Sequence, residues 1–195
     1  MFHPIHPRAP RTLTVRHWRA RLATFACAAA TSMALVLPAA AQAPAASGAV
    51  PQFPGVRSAP DPGDLNYGGW FKAHQPVKIV FGVGSPAMSG LKESLHNAAL
   101  SIQYMRLKHI AYKIEIVLYG NAVKAADPLN QEFANLGDLM EALHEAGVEF
   151  VVCYNSMTEV GMHRGDTYPY MKLVPAGILE IARREADGYA YIRNF

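Results

Sequence analysis

The feature that most constrains the fold is a regular alternation of short apolar runs and helical patterns in the second half of the chain. Three apolar runs rich in β-branched residues predict buried strands, at residues 77–83, 112–120 and 148–153. Two shorter runs predict strands at residues 171–177 and 189–195. Apolar residues between the strands recur at helical spacing, which predicts helices at residues 89–109, 121–126, 135–147, 155–165 and 178–188. Such alternation indicates an α/β domain with a mostly parallel sheet covered by helices on both faces.

Composition divides the chain into three parts. Residues 1–41 hold five arginines and no acidic residue, then an apolar run and the small-residue stretch PAAAQA, which predict a cleaved secretory signal peptide. A transmembrane anchor is the alternative, but the apolar run is short and rich in alanine. Residues 42–76, rich in Pro, Gly and Ala, predict a flexible or loosely docked leader, and residues 77–195 form one domain.

Removal of the signal peptide changes the charge and the cysteine count. Of 18 Lys and Arg residues, 13 remain against 15 Asp and Glu, a formal charge of −2. No nucleic-acid partner and no membrane contact after cleavage are therefore expected, and the predicted location is periplasmic or secreted. Cys27 leaves with the signal peptide, so Cys153 becomes the one cysteine and no intramolecular disulfide is possible.

The carboxyl ends of the strands are the candidate ligand positions, because parallel sheets bind ligands beyond those ends. Cys153 ends the third strand at a helix N-terminus, where backbone N–H groups and the helix dipole lower the pKa of a thiol. Asn155 or Ser156 is expected to cap that helix. The alternative is an inert cysteine packed at the end of a strand. The candidate ligand-binding residues near these ends are Gly84, Ser85, Gly120, Asn121 and Asn155, and the fourth strand ends at residues 175–177.

Two other patterns were weighed as functional sites. The stretch GVGSPA at residues 82–87 matches a dinucleotide-binding turn, but Pro86 crowds the turn and no acidic residue ends the second strand. Its glycines are interpreted as allowing a tight turn, and they could line a small anion pocket beside Cys153. The histidines lack metal-ligand spacing, so neither a metal nor another cofactor is expected.

The segments GVEFVVCYNSMTEVGMHRGD and VPAGILEIARREADGYAYIRNF carry a resemblance to a known family. They resemble the DsrE family of sulfur-relay proteins, which includes the DsrE and TusD subunits, and more closely its exported single-chain branch. The shared features are a cysteine followed by Asn and Ser after the third strand, a VP-small-G strand end and a terminal GYAYI. The resemblance covers residues 77–195.

The resemblance implies a three-layer α/β/α sandwich with a five-stranded sheet, assembled as a trimer or hexamer. It also implies that the cysteine matched by Cys153 carries sulfur as a persulfide. The well-understood sulfur carriers of this family are cytoplasmic, whereas this chain is predicted to be exported. The predicted function is persulfide formation and transfer at Cys153, with a donor or acceptor protein or a small sulfur compound as partner. The alternative is a non-catalytic oligomeric module that binds a small ligand or a partner on the same fold.

Overall fold

The computed structural model describes residues 49–58, 60–65, 67–84 and 88–193. The predicted signal peptide, Ser85 and residues 194–195 lie outside these ranges. Within them, no helix combines the length and the apolar character that a membrane crossing requires.

Five strands form one sheet. In chain order they are β1 (Val77–Val83), β2 (Tyr112–Leu118), β3 (Val148–Cys153), β4 (Lys172–Val174) and β5 (Ala190–Arg193). Their spatial order is β4-β3-β2-β1-β5, and every pairing between neighbours is parallel. The predicted α/β class and the five-stranded sheet are confirmed. Because all strands run the same way, their carboxyl ends lie along one edge of the sheet.

Helices connect the strands. The α-helices of the described ranges are α1 (Gly68–Ala73), α2 (Met88–Leu107), α3 (Gly137–Glu145), α4 (Tyr154–Glu159) and α5 (Gly177–Ala186). Short 3₁₀ turns occupy Gly120–Ala126, Ala134–Leu136 and Arg164–Asp166.

Several elements differ from the sequence-based expectations. The second strand ends at Leu118 rather than at residue 120, and the helix predicted at residues 121–126 is a 3₁₀ turn. The helix predicted at residues 155–165 is shorter, because α4 ends at Glu159 and Gly161, which follows the C-cap Val160, adopts φ +76°. The fourth strand has three residues rather than seven, since Pro175 cannot donate to a ladder and α5 begins at Gly177. Helix α1 was not predicted, because its six residues show no apolar period.

The two faces of the sheet are covered unequally. Alternate strand residues point to opposite faces, and one face carries the main core, which includes Phe81, Ile116 and Phe150 packed with residues of α2 and α3. The other face has a small cluster of Val80, Val117, Val151 and Ile181 beneath α5. The ten-residue α5 thus spans the face that carries Val151 of β3, and its first residue, Gly177, approaches Cys153 at the end of that strand.

The leader packs against the domain in its described part. Phe53 and Val56 are buried in the main core, and the Gln103 side chain donates a hydrogen bond to the Pro51 carbonyl oxygen at 3.2 Å. Lys108 forms an ion pair with Asp61 at 2.8 Å. These contacts attach the leader to Gln103 on α2 and to Lys108, the residue that follows α2.

Candidate functional site

Cys153 lies where β3 turns into α4. It is the last residue of β3 and also the N-cap of α4, and its relative exposure is 5%. Its Sγ accepts a hydrogen bond from the Ser156 backbone N–H at 3.5 Å and another from the Ser156 hydroxyl at 3.3 Å. The expectation that Asn155 or Ser156 caps this helix is wrong, because the cysteine sulfur itself takes the capping position.

The Ser156 hydroxyl is oriented by a second hydrogen bond. The Gly120 backbone N–H donates to Ser156 Oγ at 2.9 Å. Because that bond uses the oxygen as an acceptor, the hydroxyl proton is free to point at the Cys153 sulfur. The end of β2 is therefore linked to the end of β3 through Ser156.

Gly177 brings the start of α5 against the same sulfur-bearing residue. A Cβ atom at Gly177 would lie 3.2 Å from Cys153 Cβ and 2.9 Å from Tyr119 Cβ. Only a residue without a side chain allows this approach, and it lets the Gly177 backbone N–H act on the thiol.

The electrostatics of the site favour the thiolate form of Cys153. Burial raises the pKa of this thiol, but hydrogen-bond donors outweigh burial, so the pKa lies below its ordinary value. The donors are the Ser156 hydroxyl and the backbone N–H groups of Gly177, Ser156 and Asn155. The surroundings of the sulfur are thus polar at close range, although the residue is buried.

Gly84 and Gly120 make the strand ends close enough to meet. Gly120 adopts φ +53°, and a Cβ there would lie 2.8 Å from the Gly84 carbonyl oxygen. A Cβ at Gly84 would collide with the Tyr119 ring, including its hydroxyl at 2.9 Å. Tyr119 also forms a hydrogen bond with Tyr191. Burial raises the pKa of Tyr191, and this hydrogen bond raises it further.

Close packing of aromatic rings also explains Gly82, near the end of β1. A Cβ at Gly82 would lie 2.7 Å from the Tyr191 ring and 3.0 Å from Ile181. The aromatic rings of Tyr191 and Tyr119 lie directly against Gly82 and Gly84. The described glycines of the GVGSPA stretch therefore serve close packing of the chain on itself.

The structure brings some of the predicted site residues together and separates others. Gly84 and Gly120 touch each other, and Gly120 reaches Cys153 through Ser156. The Asn155 side chain is exposed, and its backbone N–H donates to the Pro175 carbonyl oxygen at 3.2 Å. Asn121 is exposed on the 3₁₀ turn after β2. Ser85 lies outside the described residues.

Ser156 and Gly177 were not chosen as site residues from the sequence. The signal for Gly177 was present, because it ends the VPAG stretch at a predicted strand end. The signal for Ser156 was its spacing of three residues from the cysteine, which places its amide and hydroxyl back over the start of the helix.

Within the described ranges, no group of three or more His, Cys, Asp or Glu residues is arranged to hold a metal ion. The chemistry available at the site is therefore that of one thiol among neutral donors.

Comparison with known proteins gives a family and a fold. A model of the DsrE/DsrF-like family matches residues 77–193, which is more than half of the chain. Curated proteins gave no match. Among solved structures, MTH1491 from Methanobacterium thermoautotrophicum, a protein of unknown function, is 26% identical with a TM-score of 0.51; the match covers 60% of this chain and 98% of that protein. The ychN protein from E. coli is 18% identical with a TM-score of 0.47, over 61% of this chain and 99% of that one.

Proposed function

Because the chain belongs to the DsrE/DsrF-like family, we propose that it handles sulfur by forming and transferring a persulfide at Cys153. Family membership supports a function of the sulfur-relay type. The observation that carries the finer proposal is the ring of donors around the Cys153 sulfur, which lowers the pKa of the thiol despite its burial. A thiolate is the form that attacks sulfur.

The proposed first step conserves charge and needs no added oxidant or reductant. The Cys153 thiolate attacks the outer sulfur of a donor such as thiosulfate, a sulfur–sulfur bond forms at Cys153, and the bond to the leaving sulfite breaks. The products are a Cys153 persulfide anion and sulfite. In the second step an acceptor thiolate attacks the outer sulfur of the persulfide, which returns Cys153 as a thiolate and leaves the persulfide on the acceptor.

The residues around the sulfur have positioning roles in this proposal. The Ser156 hydroxyl, held by the Gly120 N–H, stabilises negative charge on the Cys153 sulfur. The N–H of Gly177, at the start of α5, acts on the same sulfur. The same donors stabilise the thiolate that is regenerated when the persulfide is passed on.

The alternative function is supported by a different observation. Cys153 is only 5% exposed, and such burial is typical of cysteines that pack in a core as small apolar residues and do not react. A non-catalytic oligomeric module that binds a small ligand or a partner would keep the fold and leave the thiol inert.

We extend the proposal to location and partners. The arginine-rich segment at residues 8–21, followed by an apolar run, supports export to the periplasm or beyond. β4 and β5 are the outer strands of the described sheet, and outer strands offer backbone groups for pairing with another chain. That feature supports a homo-oligomer, such as a trimer or hexamer, and exchange of sulfur with a second protein or a small sulfur compound.

The test is peptide-level mass spectrometry after the folded protein has been treated with polysulfide or thiosulfate. The proposal expects a mass gain of one sulfur on the peptide that contains Cys153, its removal by a thiol acceptor, and no gain in Cys153→Ser. Peptide resolution separates Cys153 from Cys27. Absence of the gain in folded protein, with its appearance after unfolding, would support the alternative function.

A further inference from the structure

Helix α5 carries charge on the side that packs against the sheet. We call this side the inner face of α5; it consists of residues at helical spacing, Gly177, Glu180, Ile181 and Arg184. The side chains of Glu180 and Arg184 are 9% and 15% exposed. The apolar Ile178 and Leu179, in contrast, are 58% and 69% exposed. Buried apolar surface therefore contributes little to the docking of α5, and the charged residues are left to fix its position.

The first half of the inner face lies over the ends of β2 and β3. A Cβ at Gly177 would lie 3.2 Å from Cys153 Cβ and 3.2 Å from a methyl group of Val117. About one turn later, Ile181 packs in one cluster with Val117 and Val151. The helix therefore runs back along these two strands from their carboxyl ends.

Arg184, at the other end of the inner face, joins α5 to both strands. Its guanidinium ion-pairs with Glu115 of β2 and lies 2.7 Å from Glu149 of β3. Glu115 and Glu149 are direct neighbours in the sheet, since the two residues are paired in register. Nε of the same guanidinium lies 3.2 Å from Glu180, one turn back on α5. A planar group with five donors can hold several carboxylates at once, which fixes the helix both along and across the strands.

The helix transmits the position of Arg184 to the sulfur. Gly177 and Arg184 both belong to α5 and are seven residues apart, which is about two turns and roughly 10 Å along the axis. Gly177 has no side chain that could anchor the start of the helix, although its backbone N–H acts on the Cys153 thiol. The place at which Arg184 is held therefore decides where that N–H lies.

We propose that Arg184 is a positioning residue for Cys153: by bridging Glu115 and Glu149 it fixes α5 on the sheet and so holds the Gly177 N–H against the sulfur. In this role Arg184 acts through the helix rather than on the sulfur itself. The meaning of this role for sulfur transfer rests on the proposed function. The role itself can be tested without any reaction, because the pKa of a thiol is measurable by titration.

The test is an NMR titration of the full chain labelled with an NMR-active carbon at cysteine Cβ, with the Cys27 signal identified from Cys153→Ser. Arg184→Met keeps most of the side-chain length and removes the charge. We expect the Cys153 pKa to rise by about one unit in this variant, the effect of losing one hydrogen bond to a charged group. Arg184→Lys restores the charge without the fork of donors, so it should recover about half of that rise.

Arg183→Met is the matched control. Arg183 is the neighbour of Arg184 on α5 and its side chain is 52% exposed. It pairs with Glu180 of the same helix and with Asp187, the C-cap residue. Because these ion pairs do not reach the sheet, the Cys153 pKa should stay within about 0.2 units of the wild type.

Amide hydrogen exchange separates positioning from a general loss of stability. The Ser156 N–H donates to the same sulfur from α4 and is the internal reference. In Arg184→Met the Gly177 amide should exchange at least about tenfold faster, while the Ser156 amide changes by less than about twofold. If Arg184→Met does not fold, Glu149→Gln replaces it, since that side chain is 43% exposed. We expect Glu149→Gln to raise the Cys153 pKa by about half a unit, with the same pattern of exchange.

Three results would overturn the positioning role. They are an unchanged Cys153 pKa in the folded Arg184 or Glu149 variant, an equal rise in Arg183→Met, and equal acceleration of the Gly177 and Ser156 amides. None of them decides whether Cys153 takes up sulfur. Conversely, absence of a persulfide on the wild type would overturn the proposed function and leave these expected shifts as they are.

Discussion

At the scale of single residues, the chemistry of Cys153 depends on donors supplied by three separate elements. Ser156 belongs to α4, Gly177 begins α5, and Gly120 follows β2. Each contributes a backbone N–H or a hydroxyl directed at the sulfur or at the group that contacts it. The lowering of the thiol pKa therefore depends on how the strand ends meet, and the contribution of each donor can be tested separately.

Ser156→Ala should raise the pKa of the Cys153 thiol, because it removes the hydroxyl donor at 3.3 Å. Loss of one hydrogen bond to a charged group corresponds to about one pKa unit, so alkylation of Cys153 near pH 7 should slow about tenfold. Measurement of the alkylation rate against pH gives the shift directly. Ser94→Ala is the control, since Ser94 is also a buried serine but lies on α2; equal slowing in both variants would contradict the assigned role.

Gly120→Ala should both destabilise the protein and slow the alkylation of Cys153, because the Gly120 N–H holds the Ser156 hydroxyl that contacts the sulfur. Alanine at φ +53° is strained, and its Cβ would lie 2.8 Å from the Gly84 carbonyl oxygen, so the free energy of unfolding in urea should fall by about 2–3 kcal/mol. The control is Gly161→Ala, at φ +76° with no atom within 4 Å of the added Cβ. It should cost about 1 kcal/mol and leave the alkylation rate unchanged. Matching losses in both variants would show that the contact with Gly84 has no energetic role.

At the scale of elements, α5 lies over a buried charged cluster on the sheet. Glu115, on β2, is 1% exposed and ion-pairs with Arg184 of α5. Arg184 also contacts Glu149 at 2.7 Å and Glu180 at 3.2 Å. Burial raises the pKa of Glu115 from 4.5 to about 7; Arg184 opposes the rise, and the charges of Glu180 and Glu149 add to it.

Because of this cluster, the free energy of unfolding is expected to fall as the pH rises. Since the folded pKa of Glu115 lies above 4.5, its contribution to stability is complete below pH 4.5 and is lost as the pH rises towards about 7. Glu115→Gln cannot ionise, so relative to the wild type its free energy of unfolding should improve by about 1–3 kcal/mol between pH 5 and pH 8. Urea denaturation at both pH values measures this difference, and Glu141→Gln, at an exposed position of α3, is the control. A difference of zero, or of the opposite sign, would show that Arg184 outweighs burial.

The leader is an element of the folded domain in its described part. Phe53 is 5% exposed within the main core, so Phe53→Ala should lower the free energy of unfolding by about 3 kcal/mol. Thermal or urea denaturation measures the loss, with Arg57→Ala at an exposed neighbouring position as control. If Phe53→Ala is as stable as the control, the leader does not contribute to the core.

At the scale of the whole molecule, the sheet could be predicted from the sequence, because its signals are local. β1 and β3 have the predicted bounds, since β-branched apolar runs that end at glycine or at a polar helix start define both termini. The position of Cys153 at the carboxyl edge followed from the rule for parallel sheets. Its burial did not follow, because exposure depends on how closely α5 and the 3₁₀ turn after β2 approach it.

The parts that escaped prediction depend on contacts distant in the chain. The leader contacts α2 about fifty residues later in the chain, through the hydrogen bond from Gln103 to Pro51, and Phe53 joins the main core, whereas composition showed only a Pro- and Gly-rich segment. The apolar pattern of β2 does not predict that Glu115 is buried in an ion pair with Arg184 of α5. The depression lined by Trp70, Tyr104 and Ile192 combines the leader, α2 and β5, so no single stretch of sequence reveals it.

The central claim is the proposal that folding lowers the pKa of the Cys153 thiol and leaves this residue able to react, and its most direct test is the alkylation rate of that residue against pH. The measurement compares folded and urea-unfolded full-length protein by iodoacetamide labelling, with Cys27 and Cys153 resolved by peptide mass. The account predicts that Cys153 of the folded protein reacts with a midpoint at lower pH than in the unfolded chain. Labelling of Cys153 only after unfolding would contradict it and leave a packed cysteine on a DsrE-like fold.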